Sequence, residues 1–280
     1  MKNWIYPIAL LALVSSCRPK PIDIDVPQAE SKLVVSSISV PDRILVINVS
    51  RSFTALEQSP VGEGGDTALL NQLFVSGCQV FLSNGNESQR LLDLGNGMYA
   101  GTEVTRVVDK EYELTVYDPK KDQQVSSKTL VPPQVSLNNV TAQKRYRYER
   151  FEIVVDFTFT NTSGGSHYLV NCYANSDEGA TYENFALTYG RSESTLIEHS
   201  AFGEPYNGSI VLSDWDNDTI LVSLSEITSE YYDYLQARDR ASTSVPFLSE
   251  PVSLPTNVEG GYGFFTAHFP DARAVEVKPQ

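Results

Sequence analysis

Cys17 carries the most definite chemistry in this sequence, because its thiol closes a short apolar run from Trp4 to Val14 followed by Ser15-Ser16. Small residues directly before a cysteine admit a chain to a lipoprotein signal peptidase. The thiol can carry diacylglycerol before Cys17 becomes the new N-terminus. Lys2 supplies a positive start, and the apolar run is too short to cross roughly 30 Å of hydrocarbon as a permanent helix. Residues 1–16 are therefore expected to be a lipoprotein signal peptide, with Cys17 as the lipidation site. Residues 17–31 read as a lipidated tether, since Pro19, Pro21 and Pro27 prevent regular structure there.

Other reactive groupings are weaker. Asp214, Asp216 and Asp218 alternate like the first ligands of a calcium loop. The glycine needed at the sixth position is Thr219 and the bidentate acid at the twelfth is Ser225, so an EF-hand is strongly disfavoured. A looser calcium site completed from elsewhere and a solvated acidic hairpin tip both stay open. His167, His199 and His268 are the three histidines and show no paired ligand spacing, so a zinc site has no support. No Gly-x-Ser-x-Gly elbow marks a nucleophile, and 35 acidic residues leave a hydrolytic carboxylate pair unspecified. Neither enzymatic activity nor a cofactor is expected. Fifteen tyrosines are more telling, and Tyr146, Arg147, Tyr148, Tyr182 and Tyr206 are the candidate partner- or ligand-binding residues. Tyr and Arg are favoured at binding surfaces, although Tyr is also a common strand residue, so both roles stay open. Lys144, Arg145, Arg147 and Arg150 form a basic group suited to an anionic partner loop.

The whole chain is acidic, with a net charge of -14 over 280 residues. Such a surface repels phosphate backbones, which disfavours nucleic acid and leaves the lipid to hold the protein at a membrane. With 41% hydrophobic residues the chain can bury a core, and its length suggests two domains. Cys78 and Cys172 lie in strand-like runs far apart in sequence. Buried free thiols are the favoured reading over a disulfide.

The elements that would position these residues are mostly strands. Runs at Leu33–Ile38, Ile44–Val49, Cys78–Leu82, Gln89–Leu94 and Glu111–Tyr117 are rich in β-formers, with hairpin turns at Asn84-Gly85-Asn86 and Gly95-Asn96-Gly97. A surface insertion is expected over 52–73. Pro132-Pro133 marks a boundary between an immunoglobulin-like β-sandwich at 32–131 and a second β-rich domain at 134–275. In the latter, Phe151–Phe159 alternates with period two, and Asn161–Ser166 is expected to turn it as a hairpin into His167–Ala174. Further strands are expected at 185–189, 208–212 and 219–224. One amphipathic helix is expected near 226–241, capped by Ser225, with Ile227, Tyr231, Tyr234, Leu235 and Arg238 on one face. The fold class is thus mostly β: the sandwich, then a second antiparallel sandwich or barrel-like domain with one helix.

The ending of the chain carries a resemblance. Tyr231-Tyr232-Asp233-Tyr234-Leu235, then Phe247, Glu250-Pro251, Pro255-Thr256-Asn257-Val258 and Gly260-Gly261-Tyr262-Gly263-Phe264-Phe265, resembles an exported lipoprotein family known as domain of unknown function 4249. Pro21–Asp25 and Lys32–Val35 resemble the opening of that family. Within these motifs the glycines permit φ > 0 or close backbone approach, which suits a final strand tucked against the helix, and Asn257 suits a turn. The resemblance implies a Bacteroidota outer-membrane lipoprotein, more often on the cell surface than on the periplasmic face, encoded beside a TonB-dependent receptor. It implies a role as that β-barrel's partner in nutrient capture or uptake, with no catalytic residues. A standalone glycan- or peptide-binding lipoprotein is the alternative, and a hydrolase a more distant one.

Overall fold

Period-two alternation builds the first half. The computed structural model describes residues 30–39, 45–52, 73–101, 107–147, 150–174, 191–243 and 253–279. Its first eight strands are β1 (Leu33–Ser39), β2 (Leu45–Arg51), β3 (Gln79–Ser83), β4 (Ser88–Arg90), β5 (Leu92–Gly95), β6 (Met98–Gly101), β7 (Glu111–Asp118) and β8 (Gln123–Leu130). In β7 the alternate residues Tyr112, Leu114 and Val116 are buried, as Leu33 and Val35 are in β1. The strands form two sheets ordered β1-β2-β6-β5 and β8-β7-β3-β4. With β1 to β8 read as strands A, B, C, C′, D, E, F and G, this is the A-B-E-D against G-F-C-C′ order of an immunoglobulin sandwich. Both sheets feed one core, in which Ile47, Tyr99, Val80 and Leu114 meet. Full burial of each aliphatic side chain there stabilises by about 1.5–3 kcal/mol. Arg51 and the buried Asp118 form an ion pair between the sheets, and Arg51 also donates to Gln123 at 2.8 Å. The turns expected at Asn84–Asn86 and Gly95–Gly97 join β3 to β4 and β5 to β6.

The later elements are β9 (Leu137–Arg147), β10 (Arg150–Thr160), β11 (His167–Ala174), β12 (Arg191–Glu198), β13 (Pro205–Ser213), β14 (Thr219–Glu226), α1 (Ser229–Thr243), β15 (Val258–Glu259), β16 (Tyr262–Phe264) and β17 (Asp271–Lys278). Seven of them form one curled sheet, β12-β11-β14-β17-β9-β10-β13. Its inner face holds Ile153, Phe157, Phe159, Val170, Val222 and Leu212, and Trp215 is buried among them. Across the core the Phe159 and Tyr168 rings lie 4.7 Å apart. The mostly β, sandwich-plus-barrel-like architecture is therefore present. Cys78 lies in the first core and Cys172 in the second, both as buried free thiols, and burial pushes Cys172 up to about 12.

Three local expectations are corrected. Residues 161–166 do not turn a hairpin, because β10 pairs with β9 and β13 whereas β11 pairs with β12 and β14. The segment is a crossover held by the fully buried Asn161, which donates to the carbonyls of Gly165 at 2.7 Å and His199 at 3.2 Å and accepts from the Gly164 amide. The helix starts at Ser229 rather than 226, because Glu226 still belongs to β14 and Thr228, not Ser225, caps the Tyr231 amide at 3.3 Å. Its buried residues are Tyr232 and Leu235, which pack with Leu169 and Ile227 on the outer face of the curled sheet, while Arg238 is exposed.

A third departure concerns chain order. Residues of the segment assigned to the second domain return to the first core: β16 pairs in parallel with β1, β15 pairs with β8, and Val258, Phe265 and Ala267 are buried with the sandwich residues. This short strap joins the A edge of one sheet to the G edge of the other. Asn257 fixes it, accepting from the Phe265 amide at 2.9 Å and donating to the carbonyls of Phe265 at 2.7 Å and Lys128 at 3.1 Å. Gly263 adopts φ +98° and a Cβ there would overlap the Val35 carbonyl, so only glycine fits. The strand expected at 185–189 and most of the 52–73 insertion lie outside the described residues.

Gly263→Ala is expected to cost at least about 3 kcal/mol by urea denaturation, combining steric overlap with left-handed strain. Gly85→Ala, at φ +83° in open space, should cost about 1–2 kcal/mol from strain alone. Equal costs would show that the strap does not press on β1.

Candidate functional site

Two features stand out, one at each end of β10. The first is a cleft of about 640 Å³ where the sandwich, the crossover and the start of α1 meet. The sandwich contributes Asp109, Glu111 and Lys128, the connector Pro132 and Pro133, and the strap Asn257 and Phe264. The crossover residues 163–165, the end of β14 at Glu226, and Glu230 in the first turn of α1 complete the lining. Ligand clefts commonly span about 300–1,000 Å³, and this one falls in that range with a lining that is polar and charged for the most part.

Glu226 is its most unusual member. It stands on the same face of β14 as Ile220, Val222 and Leu224, and is 6% exposed. The Ser163 hydroxyl donates to its Oε2, and a Cβ on Gly165 would overlap its Oε1, so the glycine makes room for the carboxylate. Burial pushes the Glu226 carboxyl up; the Ser163 hydrogen bond opposes the shift, and the negative charge of Asp109 adds to it. No described cation forms a salt bridge with Glu226. At the rim Lys128 and Glu111 pair with each other at 3.3 Å. Asn257 and Phe264 stood among the sequence candidates as family-motif residues, whereas Glu226, Ser163, Asp109, Glu111 and Lys128 did not. The legible signal was a glutamate continuing the inward-facing period of an apolar strand.

The second feature collects two groups that the sequence left separate. At the β9–β10 hairpin, Tyr146 is 62% and Phe151 47% exposed, with rings 5.0 Å apart. The Lys144 ammonium lies 5.0 Å over the Phe151 ring and pairs with Asp216, while Arg150 reaches Asp214 at 3.5 Å. Buried Trp215 anchors the Asp-rich loop and leaves Asp214 and Asp216 outside to meet these cations. That geometry accounts for Asp214 and Asp216, and Asp218 is exposed just before β14. Among the described residues no three His, Cys, Asp or Glu side chains converge on a common metal position.

Arg147 lies on this end, whereas Tyr206 does not. It packs at the far end of β10 against Phe159 at 5.2 Å and His199 at 5.4 Å, partly buried with the barrel core. Tyr148, Tyr182, Glu250, Pro251 and Cys17 lie outside the described residues. Tyr234 stacks on Phe264 at 4.9 Å and Tyr231 meets the same ring at a tilt at 5.5 Å, so the helix and the strap share an aromatic contact. Gly260, Gly261 and Asn257 serve the strap: a Cβ at Gly261 would come within 2.5 Å of the Leu33 carbonyl.

The Glu226 shift predicts a pH dependence. A carboxyl whose folded value lies above its unfolded one contributes stability below the unfolded value, and that contribution is lost as pH rises through the folded value. Glu226→Gln should therefore match the parent near pH 3.5 and exceed it in urea midpoint near pH 7. A deficit of the variant at the higher pH would show instead that the carboxylate is stabilised where it stands.

Comparison with curated proteins gives no match. The family model described as "Domain of unknown function (DUF4249)" matches residues 19–271, a span that takes in the sandwich, the cleft, the barrel hairpin and the strap with its Asn257 and glycine motif. The chain belongs to the domain of unknown function 4249 family.

Proposed function

We propose that this protein is an outer-membrane-anchored accessory lipoprotein, lipidated at Cys17 and facing the cell surface, that partners a TonB-dependent receptor in nutrient capture or uptake. The observation that carries the reading is the Tyr146–Phe151 platform with its surrounding cations, on a chain whose net charge is -14. Exposed aromatic rings beside Lys and Arg are the make-up of interface anchors, and here Lys144 and Arg150 are held beside the rings by Asp216 and Asp214. The Ser15-Ser16-Cys17 junction and the proline-containing tether support a body held near the membrane at a short distance. The proposal assigns the protein no catalytic step and no cofactor. The cleft favours a second reading, a standalone glycan- or peptide-binding lipoprotein, and the two are separated by what travels with the protein.

Pull-down of the lipidated protein in mild detergent, followed by mass spectrometry, should recover a β-barrel receptor in near-stoichiometric amount. Tyr146→Ala combined with Arg147→Glu should lower that recovery by about tenfold, because aromatic and arginine anchors dominate interface energy. Recovery of the protein alone would overturn the partnership and favour the standalone reading.

A further inference from the structure

The cleft holds three carboxylates, Asp109, Glu226 and Glu230, that no described cation pairs with, and one of them is buried at its wall. The Lys128–Glu111 pair at the rim is self-neutralising, so three acids of the lining are left without a paired base among the described residues. A buried carboxylate without a counter-ion is costly, and its side chain is held in place by Ser163 rather than released to water. Phe264, Pro132 and Pro133 also line the cleft and supply apolar surface.

We propose that this cleft binds a primary ammonium group on an aliphatic body, with Glu226 as the carboxylate that receives the ammonium. An ammonium offers three donors and a compact charge, which suits one buried carboxylate set beside the Ser163–Gly165 crossover. Its aliphatic body lies against Phe264 and the prolines. An anionic ligand would meet the uncompensated acids. A divalent metal would need at least three converging ligands, which the described residues do not provide. The ammonium can be the amino end of a short peptide or one end of an alkyl diamine; both present the same chemistry to Glu226. The inference stands apart from the receptor partnership, since a negative pull-down leaves the cleft unchanged.

Isothermal titration calorimetry on the full-length protein in mild detergent tests it with three probes: trialanine, N-acetyl-trialanine and 1,4-diaminobutane. Binding of trialanine, weakened at least about tenfold by acetylation, identifies a peptide amine, and binding of the diamine without trialanine identifies an alkyl amine. In either case Glu226→Gln should weaken binding by about tenfold, since a buried charge partner is lost, and the exposed Asp109→Asn by a few-fold. Thermal midpoints no lower than the parent's separate these losses from misfolding. Equal binding of the acetylated and free peptides, unchanged affinity in both variants, or no binding of any probe would overturn the assignment.

Discussion

The rest of the molecule depends on the backbone pairing of a short strap, residues 258–265, with both edges of the N-terminal sandwich. Five residues in two strands are few, and the pairing holds because Asn257 satisfies amide and carbonyl groups of Phe265 and because glycines let backbone approach backbone. Exposed sheet edges invite pairing with other chains, and the strap covers the A and G edges with the protein's own strands. It also returns the chain, after the helix, to a core begun more than two hundred residues earlier.

That return shapes the candidate sites. Phe264 on the strap meets Tyr231 and Tyr234 on α1, so the helix is held between the outer face of the curled sheet and the sandwich. The same strap gives the cleft its Asn257 and Phe264 wall, and the Asn161-held crossover brings Ser163 to Glu226. β10 then sets a distance: its 11 residues run from the Phe151 platform to the crossover, about 35 Å at the usual strand rise. A partner docked on the hairpin and a small ligand in the cleft would not compete for one surface.

Elements set by local pattern were legible in the sequence. The hairpins at Gly85 and Gly97, the alternation of Phe151 to Phe159 and the helix near 229–243 follow from turn residues and periodicity. What was hidden depends on partners distant in sequence. Asn161-Thr162-Ser163-Gly164-Gly165 carries strong turn chemistry, but the buried carbonyls that Asn161 satisfies make it a crossover instead. Trp215 explains why the neighbouring aspartates alternate, and its burial is invisible without β10 and β13 around it. Glu226 was the readable site residue, since it continues the inward period of Ile220, Val222 and Leu224, and the adjacent helix drew it into the wrong element. The glycines near the end were rightly suspected of close backbone approach, yet nothing local names β1 as the strand they approach.

If the strap couples the two cores, residues Ser31–Gln280 should behave as one cooperative unit despite the double proline between the sandwich and the barrel. Differential scanning calorimetry measures this directly. One transition whose calorimetric and van't Hoff enthalpies agree is the predicted result. Two resolved transitions would contradict it, showing that the sandwich and the barrel unfold independently and that the strap is an attachment rather than the constraint on which the fold depends.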